Sequence, residues 1–263
     1  MRRPGAAVSL LPPVVLTVGG SDPTAGAGVQ GDLRTIGQAG GYGVCAVTSI
    51  TVQDTCGLAR RRDVAAELLA AQLEALAADF HLAAVKAGML GSAANVAALA
   101  RFLDAHPELP FVLDPVLAAT AGGPLLDPEA TRTLVAELLP RATLVTPNLP
   151  EAARLLERPP GGEAEPLARG LVAAGARAVL ITGGHRPGGE VEDLLHDGRL
   201  VHHFPTRRLP VSAHGTGCAL AAAIATHLAL GDPLVAAVRA ARDRLLARLK
   251  GALPLGHGQR LLP

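Results

Sequence analysis

The sequence predicts an α/β protein with a mainly parallel sheet and helices on both faces of that sheet. Short apolar runs rich in β-branched residues alternate along the whole chain with segments of helical periodicity, the pattern of repeated strand–helix–strand units. The chain has 263 residues, 49% of them hydrophobic, which is enough to bury a sizeable core. Because the alternation continues beyond the Pro159–Gly162 loop, we expect one domain over residues 1–263, with residues 1–12 as a flexible extension.

Each predicted strand is a short run that a turn signal or a helix follows. The first, Val14–Val18, is a nearly continuous apolar run, as expected of a buried strand. Near the other end of the chain, Asp197-Gly198 is a hairpin signal. The other predicted strands are Val44–Val52, Leu82–Val85, Pro110–Leu113, Thr143–Val145, Ala178–Ile181 and the hairpin pair Val191–His196 and Leu200–Phe204.

The predicted helices carry recognisable start and stop residues. Gly40-Gly41 ends the first helix, Asp63 is the expected N-cap of the second, and Pro128 suits the first position of another. The predicted set is Val29–Ala39, Asp63–Asp79, Ser92–Ala105, Asp127–Leu139, Leu149–Leu156, Pro166–Ala174, a helix that begins near Cys218, and Pro233–Leu249.

Composition argues against a nucleic-acid-binding or membrane protein. The net charge is +1, aromatic residues make up 2% and there is no tryptophan, whereas nucleic acid calls for a positive face or stacking rings. The longest apolar run, within Cys218–Leu230, is too short to span a bilayer. The three cysteines include no CxxC pair, which predicts neither a disulfide framework nor a zinc site and favours a cytoplasmic location.

Polar and glycine residues follow six of the predicted strands. Ligands bind at the carboxyl ends of the strands in such sheets, so we expect these residues to form one small-molecule site, although loops at strand ends are polar in any case. The six segments are Gly19–Asp22, Gln53-Asp54, Lys86–Met89, Asp114-Pro115, Thr146–Asn148 and Thr182–Gly184.

The segment His214–Cys218 combines two glycines with the start of an alanine-rich helix. Glycines let a ligand approach the backbone closely, and the free N–H groups of a helix start bind anions such as phosphate. Cys218 lies in the first turn, where the helix dipole favours a thiolate. The segment therefore offers a phosphate cradle beside a base or nucleophile, and the alternative is that Cys218 is a small buried hydrophobe.

Asn148 and Glu151 lie one helical turn apart on one face. Their oxygens, with waters, suit Mg²⁺, and the alternative is a capping box with Asn148 as N-cap.

Two nucleotide-binding motifs are not supported. Gly26–Gly31 matches GxGxxG but begins eight residues after the strand, whereas the dinucleotide turn follows its strand directly. The chain contains no GxxxxGK[ST] sequence, which excludes a P-loop.

Taken together and in order, the motifs resemble those of one known family. They are Gly20–Leu33, Gly88–Leu90, Leu113–Val116, Thr146–Ala152, Gly183–His185, His214–Cys218 and Leu255–Gly258. This set resembles hydroxymethylpyrimidine/phosphomethylpyrimidine kinase of thiamine biosynthesis, in the ribokinase-like superfamily, over nearly the whole chain. The resemblance implies a ribokinase-like, three-layer α/β/α fold with a mainly parallel central sheet, and a homodimer, because members of the superfamily often dimerise.

The resemblance also implies a reaction and a set of site residues. ATP, with Mg²⁺, would phosphorylate the hydroxymethyl group of 4-amino-5-hydroxymethyl-2-methylpyrimidine and then the resulting monophosphate. Cys218 would be the general base, and the amides of Gly215, Thr216, Gly217 and Cys218 an anion hole for the moving phosphoryl group. Asn148 and Glu151 would hold Mg²⁺. The pyrimidine pocket would use Gly20, Asp32, Gln53, Met89 and Val116, and the ATP phosphates would meet Asp114, Thr182, Gly184 and His214.

Three pocket residues also have ordinary structural readings. Without the family, Gln53 would be a surface loop residue, Asp32 a solvated helix residue and Met89 part of the core. Gln53 can donate and accept hydrogen bonds at once, which suits a pyrimidine ring nitrogen and its neighbouring amino group.

The chain departs from the family pattern near the phosphates. Thr120 and Thr182 stand where the family usually has lysine, Ala25 replaces a usual glycine, and Ala213 stands where threonine is common. Losing one charged hydrogen bond costs about 1.5–3 kcal/mol. Arg186, just beyond Thr182, is a candidate to replace the missing positive charge. Two alternatives therefore stay open: a pyridoxal kinase on the same scaffold, or a degenerate pyrimidine-binding protein with weak kinase activity.

Overall fold

A nine-stranded sheet runs through the computed structural model, which describes residues 11–118, 125–184 and 188–263. Its strands are β1 (Val14–Ser21), β2 (Tyr42–Gln53), β3 (Leu58–Asp63), β4 (Leu82–Ala87), β5 (Phe111–Leu113), β6 (Leu144–Val145), β7 (Val179–Ile181), β8 (Glu190–His196) and β9 (Val201–Arg207). The spatial order is β3-β2-β1-β4-β5-β6-β7-β8-β9. Strands β2, β1, β4, β5, β6 and β7 are parallel, and β3, β8 and β9 are antiparallel to their neighbours. The predicted, mainly parallel sheet is confirmed.

Helices cover both faces of the sheet. They are α1 (Gly28–Ala39), α2 (Ala66–Asp79), α3 (Ala93–Ala105), α4 (Pro128–Glu137), α5 (Leu149–Leu155), α6 (Ala164–Ala173), α7 (Thr216–Ala229) and α8 (Leu234–Lys250), with a short 3-10 helix at Leu139–Arg141. Apolar residues of α2 to α6 share one core with the sheet, and those of α1, α7 and α8 share the other. Neighbouring strand residues alternate between the two cores, as Val15 and Leu16 do.

The helix ends follow the chemistry that the sequence predicts. Gly40 closes α1 with a left-handed φ of 97°. The side chains of Ser92 and Asp127 accept hydrogen bonds from backbone N–H groups in the first turns of α3 and α4. Pro128 occupies the first position of α4.

The prediction of a helix over Asp63–Asp79 is wrong at its start. Residues 58–63 form β3, which pairs with β2, and α2 begins at Ala66. Asp63 ends the strand and accepts a hydrogen bond from the Ser49 hydroxyl at 2.7 Å, so it caps no helix. The sequence does not predict this strand because Leu58–Asp63 contains three successive arginines and lacks an apolar face. Charged, exposed residues of this kind are common in edge strands.

The end of the chain contains a strand that the sequence does not predict. Arg260–Leu261 forms a strand, β11, which pairs in parallel with β10 (Ala213–His214), immediately before α7. The N–H of Gln259 donates to the carbonyl of Thr55 at 2.8 Å. The last residues of the chain therefore pack beside the turn that the sequence analysis singled out.

Three predictions concern residues outside the described ranges. They are most of the flexible extension over residues 1–12, the role of Thr120, and compensation by Arg186.

Candidate active site

One cleft of about 620 Å³ lies along the carboxyl ends of the parallel strands. Residues from all six predicted strand-end segments line it, which confirms that they meet at one edge of the sheet. All the predicted site residues line this cleft, although their roles stay predictions; these are Gly20, Asp32, Gln53, Met89, Asp114, Val116, Asn148, Glu151, Thr182, Gly184, His214, Gly215, Thr216, Gly217 and Cys218. A second cavity, of about 750 Å³, lies among residues of α4 and α5 and contains none of them.

The Asp22 carboxylate organises the loop between β1 and α1. It accepts hydrogen bonds from the backbone N–H groups of Thr24 at 2.9 Å and Ala27 at 2.8 Å. His214 Nε2 lies 3.0 Å from Asp22 Oδ2, which ties this loop to the turn before α7. Burial acts to raise the pKa of Asp22, but the hydrogen bonds from His214, Thr24 and Ala27 outweigh it and hold that pKa below its usual value.

Two residues of this loop adopt left-handed backbone conformations. Gly28 has a φ of 58°, and a Cβ there would lie 2.4 Å from the Gly20 carbonyl oxygen, so only glycine fits. Ala25 has a φ of 55°, which costs an L-residue about 1–2 kcal/mol. This strain explains physically why glycine suits the position that Ala25 occupies.

Lys86 is a site residue to which sequence reasoning gave no role. It lies on β4, with 1% of its surface exposed, and its Nζ donates to Asp32 Oδ2 at 2.8 Å. The same ammonium lies 3.9 Å from Asp114 Oδ2, and the Thr17 hydroxyl also donates to Asp32 Oδ2, at 2.6 Å. A lysine that interrupts the apolar strand Leu82–Ala87, in a chain with only one other lysine, Lys250, was the signal available.

Charges within this buried group shift one another's pKa values. Burial alone would lower the pKa of Lys86, but the negative charges of Asp32 and Asp114 raise it above its usual value. Burial raises the pKa of Asp114, an effect that Lys86 only partly offsets. Asp32 is buried too, with 1% exposure, so it is not the solvated helix residue that its sequence position alone indicates.

The turn before α7 brings backbone amides and the Cys218 thiol together. Gly215 is the N-cap of α7 with a φ of 76°, and a Cβ there would lie 2.0 Å from the Gly26 carbonyl oxygen. Burial raises the pKa of the Cys218 thiol well above its usual value, and Lys86 offsets only part of this. The Asp114 carboxyl lies near the Cys218 thiol, and its negative charge also acts to raise the pKa of that thiol. The expected thiolate is therefore not favoured in this structure, because desolvation outweighs the helix dipole.

Asn148 and Glu151 form the capping box that was the alternative reading. The Glu151 N–H donates to Asn148 Oδ1, and the Asn148 N–H donates to Glu151 Oε2, each at 2.9 Å. Burial, and next the negative charge of Asp114, raise the pKa of Glu151 to about 8. A cation beside these oxygens would relieve that repulsion, so the donor set fits Mg²⁺, which commonly takes one or two carboxylates together with phosphates and waters. Within the described ranges no cluster of three or more His, Cys, Asp or Glu residues could hold a metal ion by itself.

The far end of the cleft is held by a buried ion pair. The Arg242 guanidinium donates to Asp193 Oδ2 at 2.7 Å, and Asp193 Oδ1 accepts from the N–H of Gly183 at 2.8 Å. Thr182 forms an isolated bridge with Asn148. This chain of contacts fixes the Thr182–Gly184 backbone beside the capping box.

Comparison with known proteins identifies relatives along nearly the whole chain. A sequence model of the phosphomethylpyrimidine kinase family matches residues 22–262. The chain is 42% identical over 252 residues to hydroxymethylpyrimidine/phosphomethylpyrimidine kinase of Rhizobium meliloti, covering 94% of each protein. No helix in the described parts of the chain is long and apolar enough to cross a membrane.

Two solved structures share the fold. Pyridoxal kinase from Staphylococcus aureus, in complex with pyridoxal, superposes with a TM-score of 0.88 at 30% identity, covering 95% of this chain and 93% of that chain. Phosphomethylpyrimidine kinase from Clostridium difficile gives 0.79 at 31% identity, covering 89% of this chain and 98% of that chain. These matches, with the layered sheet described above, confirm the ribokinase-like architecture.

Proposed function

Because this chain belongs to the phosphomethylpyrimidine kinase family, we propose that it phosphorylates 4-amino-5-hydroxymethyl-2-methylpyrimidine and then the monophosphate, using ATP. The chain is a phosphotransferase of thiamine biosynthesis: two relatives are named hydroxymethylpyrimidine/phosphomethylpyrimidine kinase, and another is named a thiamine biosynthesis bifunctional protein. A cytoplasmic location and a homodimer stay predictions.

The observation that carries the proposed site is the placing of Cys218. Its thiol lies in the first turn of α7, among the amides of Gly215–Cys218, and Asp114, which acts on the pKa of this thiol, lines the same cleft. A base for the substrate hydroxyl and an anion-binding backbone are what this phosphoryl transfer requires, since the protein mainly positions the reactants and stabilises charge.

We assign the proton transfer to Cys218. The substrate hydroxyl oxygen would bond to the γ-phosphorus of ATP while the bond to the β,γ-bridging oxygen breaks, which releases ADP. The hydroxyl proton would pass to the sulfur of the ionised form of Cys218, which becomes the neutral thiol. The amides of Gly215, Thr216 and Gly217 would hold the charge that develops on the phosphoryl oxygens.

Asn148 and Glu151 would hold Mg²⁺ through waters. The metal would supply positive charge to the phosphates of ATP. The residues of the capping box keep oxygen lone pairs for this purpose, because within the box Asn148 Oδ1 and Glu151 Oε2 each accept one hydrogen bond and Glu151 Oε1 accepts none. Thr182 and Gly184 would lie beside the phosphates.

Pyridoxal is the second candidate substrate. The pyridoxal kinase structure matches this chain with a TM-score of 0.88, so the fold accepts either ring on a common scaffold. The 42% identity to a hydroxymethylpyrimidine/phosphomethylpyrimidine kinase favours the pyrimidine.

Product formation from the pyrimidine, its monophosphate and pyridoxal, each with Mg-ATP, tests the proposal. We expect turnover of both pyrimidines and a loss of at least 100-fold in Cys218→Ala. Turnover of pyridoxal alone would transfer the assignment to the second candidate. Binding of the pyrimidine without any product would instead identify a degenerate binding protein.

A further inference from the structure

Two polar side chains, those of Asp22 and Gln53, meet at a single nitrogen of His214. Its Nε2 lies 3.0 Å from Asp22 Oδ2 and 2.9 Å from the side-chain amide of Gln53, which the structure places with its nitrogen, Nε2, toward His214. A ring nitrogen either carries a proton and donates, or has a lone pair and accepts, but it cannot do both. The proton on Nε2 therefore fixes which atom of the Gln53 amide can face it.

The Asp22 carboxylate decides where that proton lies. Asp22 Oδ2 also accepts from the N–H of Ala27 at 2.8 Å, and Oδ1 accepts from the N–H of Thr24 at 2.9 Å, contacts that a carboxylate makes best when it is ionised. An Nε2 lone pair would face an anionic oxygen at 3.0 Å, with repulsion in place of a hydrogen bond. Nε2 therefore carries the proton, whether the imidazole is neutral or charged.

A protonated Nε2 cannot accept from an amide NH₂ group. The Gln53 atom beside it is then the amide oxygen, since a half turn of the amide exchanges its oxygen and nitrogen in nearly the same volume. The opposite end of the amide, its NH₂ group, is left directed away from His214. Gln53 lines the cleft, and its side chain makes no other hydrogen bond within the part of the chain that the structure describes.

We propose that His214 is a positioning residue that fixes the orientation of the Gln53 side-chain amide. The NH₂ group of Gln53 then offers the cleft a hydrogen-bond donor. The group it selects on the substrate is an acceptor, such as an unprotonated ring nitrogen. This inference rests on the proposed function for the identity of the substrate, and it moves His214 from the phosphate side of the site to the base-recognition side.

Asp32 supplies the complementary polarity. Its Oδ2 is taken by Lys86 and Thr17, whereas its Oδ1 is buried and has no hydrogen-bond partner among the described residues. Asp32 also lines the cleft. The site therefore presents one fixed donor and one fixed acceptor, which matches an aromatic ring that carries both a ring nitrogen and an amino group.

The first test locates the proton on His214 in the protein without any substrate. Long-range ¹H–¹⁵N NMR spectra distinguish the two ring nitrogens, and the spectrum of His214→Asn assigns the signal by its disappearance. We expect a protonated Nε2 at pH 7. An imidazole protonated only on Nδ1 would overturn the inference.

The second test reverses the polarity of Gln53. Gln53→Glu keeps the size of the side chain but leaves a carboxylate oxygen, an acceptor, toward the cleft. We expect the KM for the pyrimidine to rise at least tenfold with a smaller change in kcat. An unchanged or lower KM would mean that the amide oxygen faces the substrate, which would overturn the inference. Gln259→Glu, at another position on the cleft wall, controls for the added negative charge.

Substrate analogues separate positioning from a general structural role. We expect at least one of the two mono-deaza analogues, each with one ring nitrogen replaced by CH, to have a KM at least tenfold above the parent compound in the wild type. His214→Asn should shrink that ratio, because nothing then holds the amide. A ratio that stays at the wild-type value in His214→Asn would overturn the role of His214. Absence of any pyrimidine turnover in the wild type would overturn the proposed function, while the proton position, measured without substrate, still decides the present inference.

Discussion

At the scale of single residues, the burial of Lys86 has a large energetic consequence. Its ammonium is 1% exposed and contacts Asp32 at 2.8 Å. Removing one member of a buried ion pair leaves the other as an uncompensated charge, which is far more costly than losing an exposed pair.

We expect Lys86→Met to lower the free energy of unfolding by about 3–5 kcal/mol at pH 7, because Asp32 loses its partner. Urea denaturation followed by circular dichroism measures the change. Lys250→Met, at the exposed end of α8, is the matched control and should stay within about 0.5 kcal/mol of the wild type. Equal losses in both variants would contradict the argument.

The raised pKa of Cys218 predicts how the reaction depends on pH. A base acts in its ionised form, so a thiol whose pKa burial holds well above its usual value is mostly protonated at neutral pH. As long as the pH is below that pKa, the thiolate fraction increases about tenfold for each unit by which the pH rises. We expect kcat/KM for the pyrimidine, at saturating Mg²⁺, to increase from pH 6.5 to 8.5, with a flat residual profile in Cys218→Ala. A flat wild-type profile would argue against the thiol as base.

At the scale of elements, the N-terminus of α5 holds the carboxyl group of Glu151 for capping at a place where the charged form of that carboxyl is disfavoured. The capping box fixes Glu151 in the first turn, where burial and Asp114 raise its pKa to about 8 from the usual 4.5. Between these two pH values the folded chain holds a proton that the unfolded chain has released. Stability therefore falls as pH rises through this interval.

Glu151→Gln isolates this effect, since glutamine also completes a capping box. We expect the stability of the wild type, relative to Glu151→Gln, to fall as the pH rises from 5 to 8. Thermal unfolding of both proteins across that range measures the difference. A difference that does not vary with pH would mean that the carboxyl of Glu151 titrates near its usual value.

The turn before α7 depends on glycine at one position for a steric reason. A Cβ on Gly215 would lie 2.0 Å from the Gly26 carbonyl oxygen, whereas a Cβ on Gly231, which also has a positive φ, would meet open space. We expect Gly231→Ala to cost about 1–2 kcal/mol from backbone strain alone. Gly215→Ala should cost more and also abolish product formation, because the anion-binding turn must shift. Similar stability losses and full activity in both variants would contradict this view.

At the scale of the whole molecule, the last strand connects the end of the chain to the site. Strand β11 pairs with β10, which contains His214, and Leu261 is 9% exposed. A Cβ built on Gly26 would lie 2.6 Å from Leu261 Cδ2. The packing of Leu261 therefore supports the same loop and turn that hold the site together.

We expect Leu261→Ala to lower the free energy of unfolding by about 2–5 kcal/mol and to raise the KM for the pyrimidine several-fold, because His214 loses its support. Leu255→Ala, at a side chain that is 72% exposed, is the control and should change neither quantity. Loss of stability with an unchanged KM would show that the strand supports the fold but not the site.

The sequence by itself determined the layered α/β fold and the edge at which the site lies. Apolar periodicity and turn residues are local signals, so they identified most of the strands and helices, and the carboxyl-end rule placed Gln53, Asp114 and Thr182 on one edge. The ordered motifs determined the family. Helix ends such as Gly40 and Asp127 followed from local capping chemistry, the left-handed backbone of a glycine and the side-chain oxygen of an aspartate.

Only the tertiary structure decided the electrostatics of the site. Desolvation and contacts between distant residues raise the pKa of Cys218 and bury Lys86 between Asp32 and Asp114, and no local pattern encodes such effects. The same limit explains why β3 and the β10–β11 pair were missed. These strands form through pairing across the fold, while their own residues are too polar or too few to show a period of two.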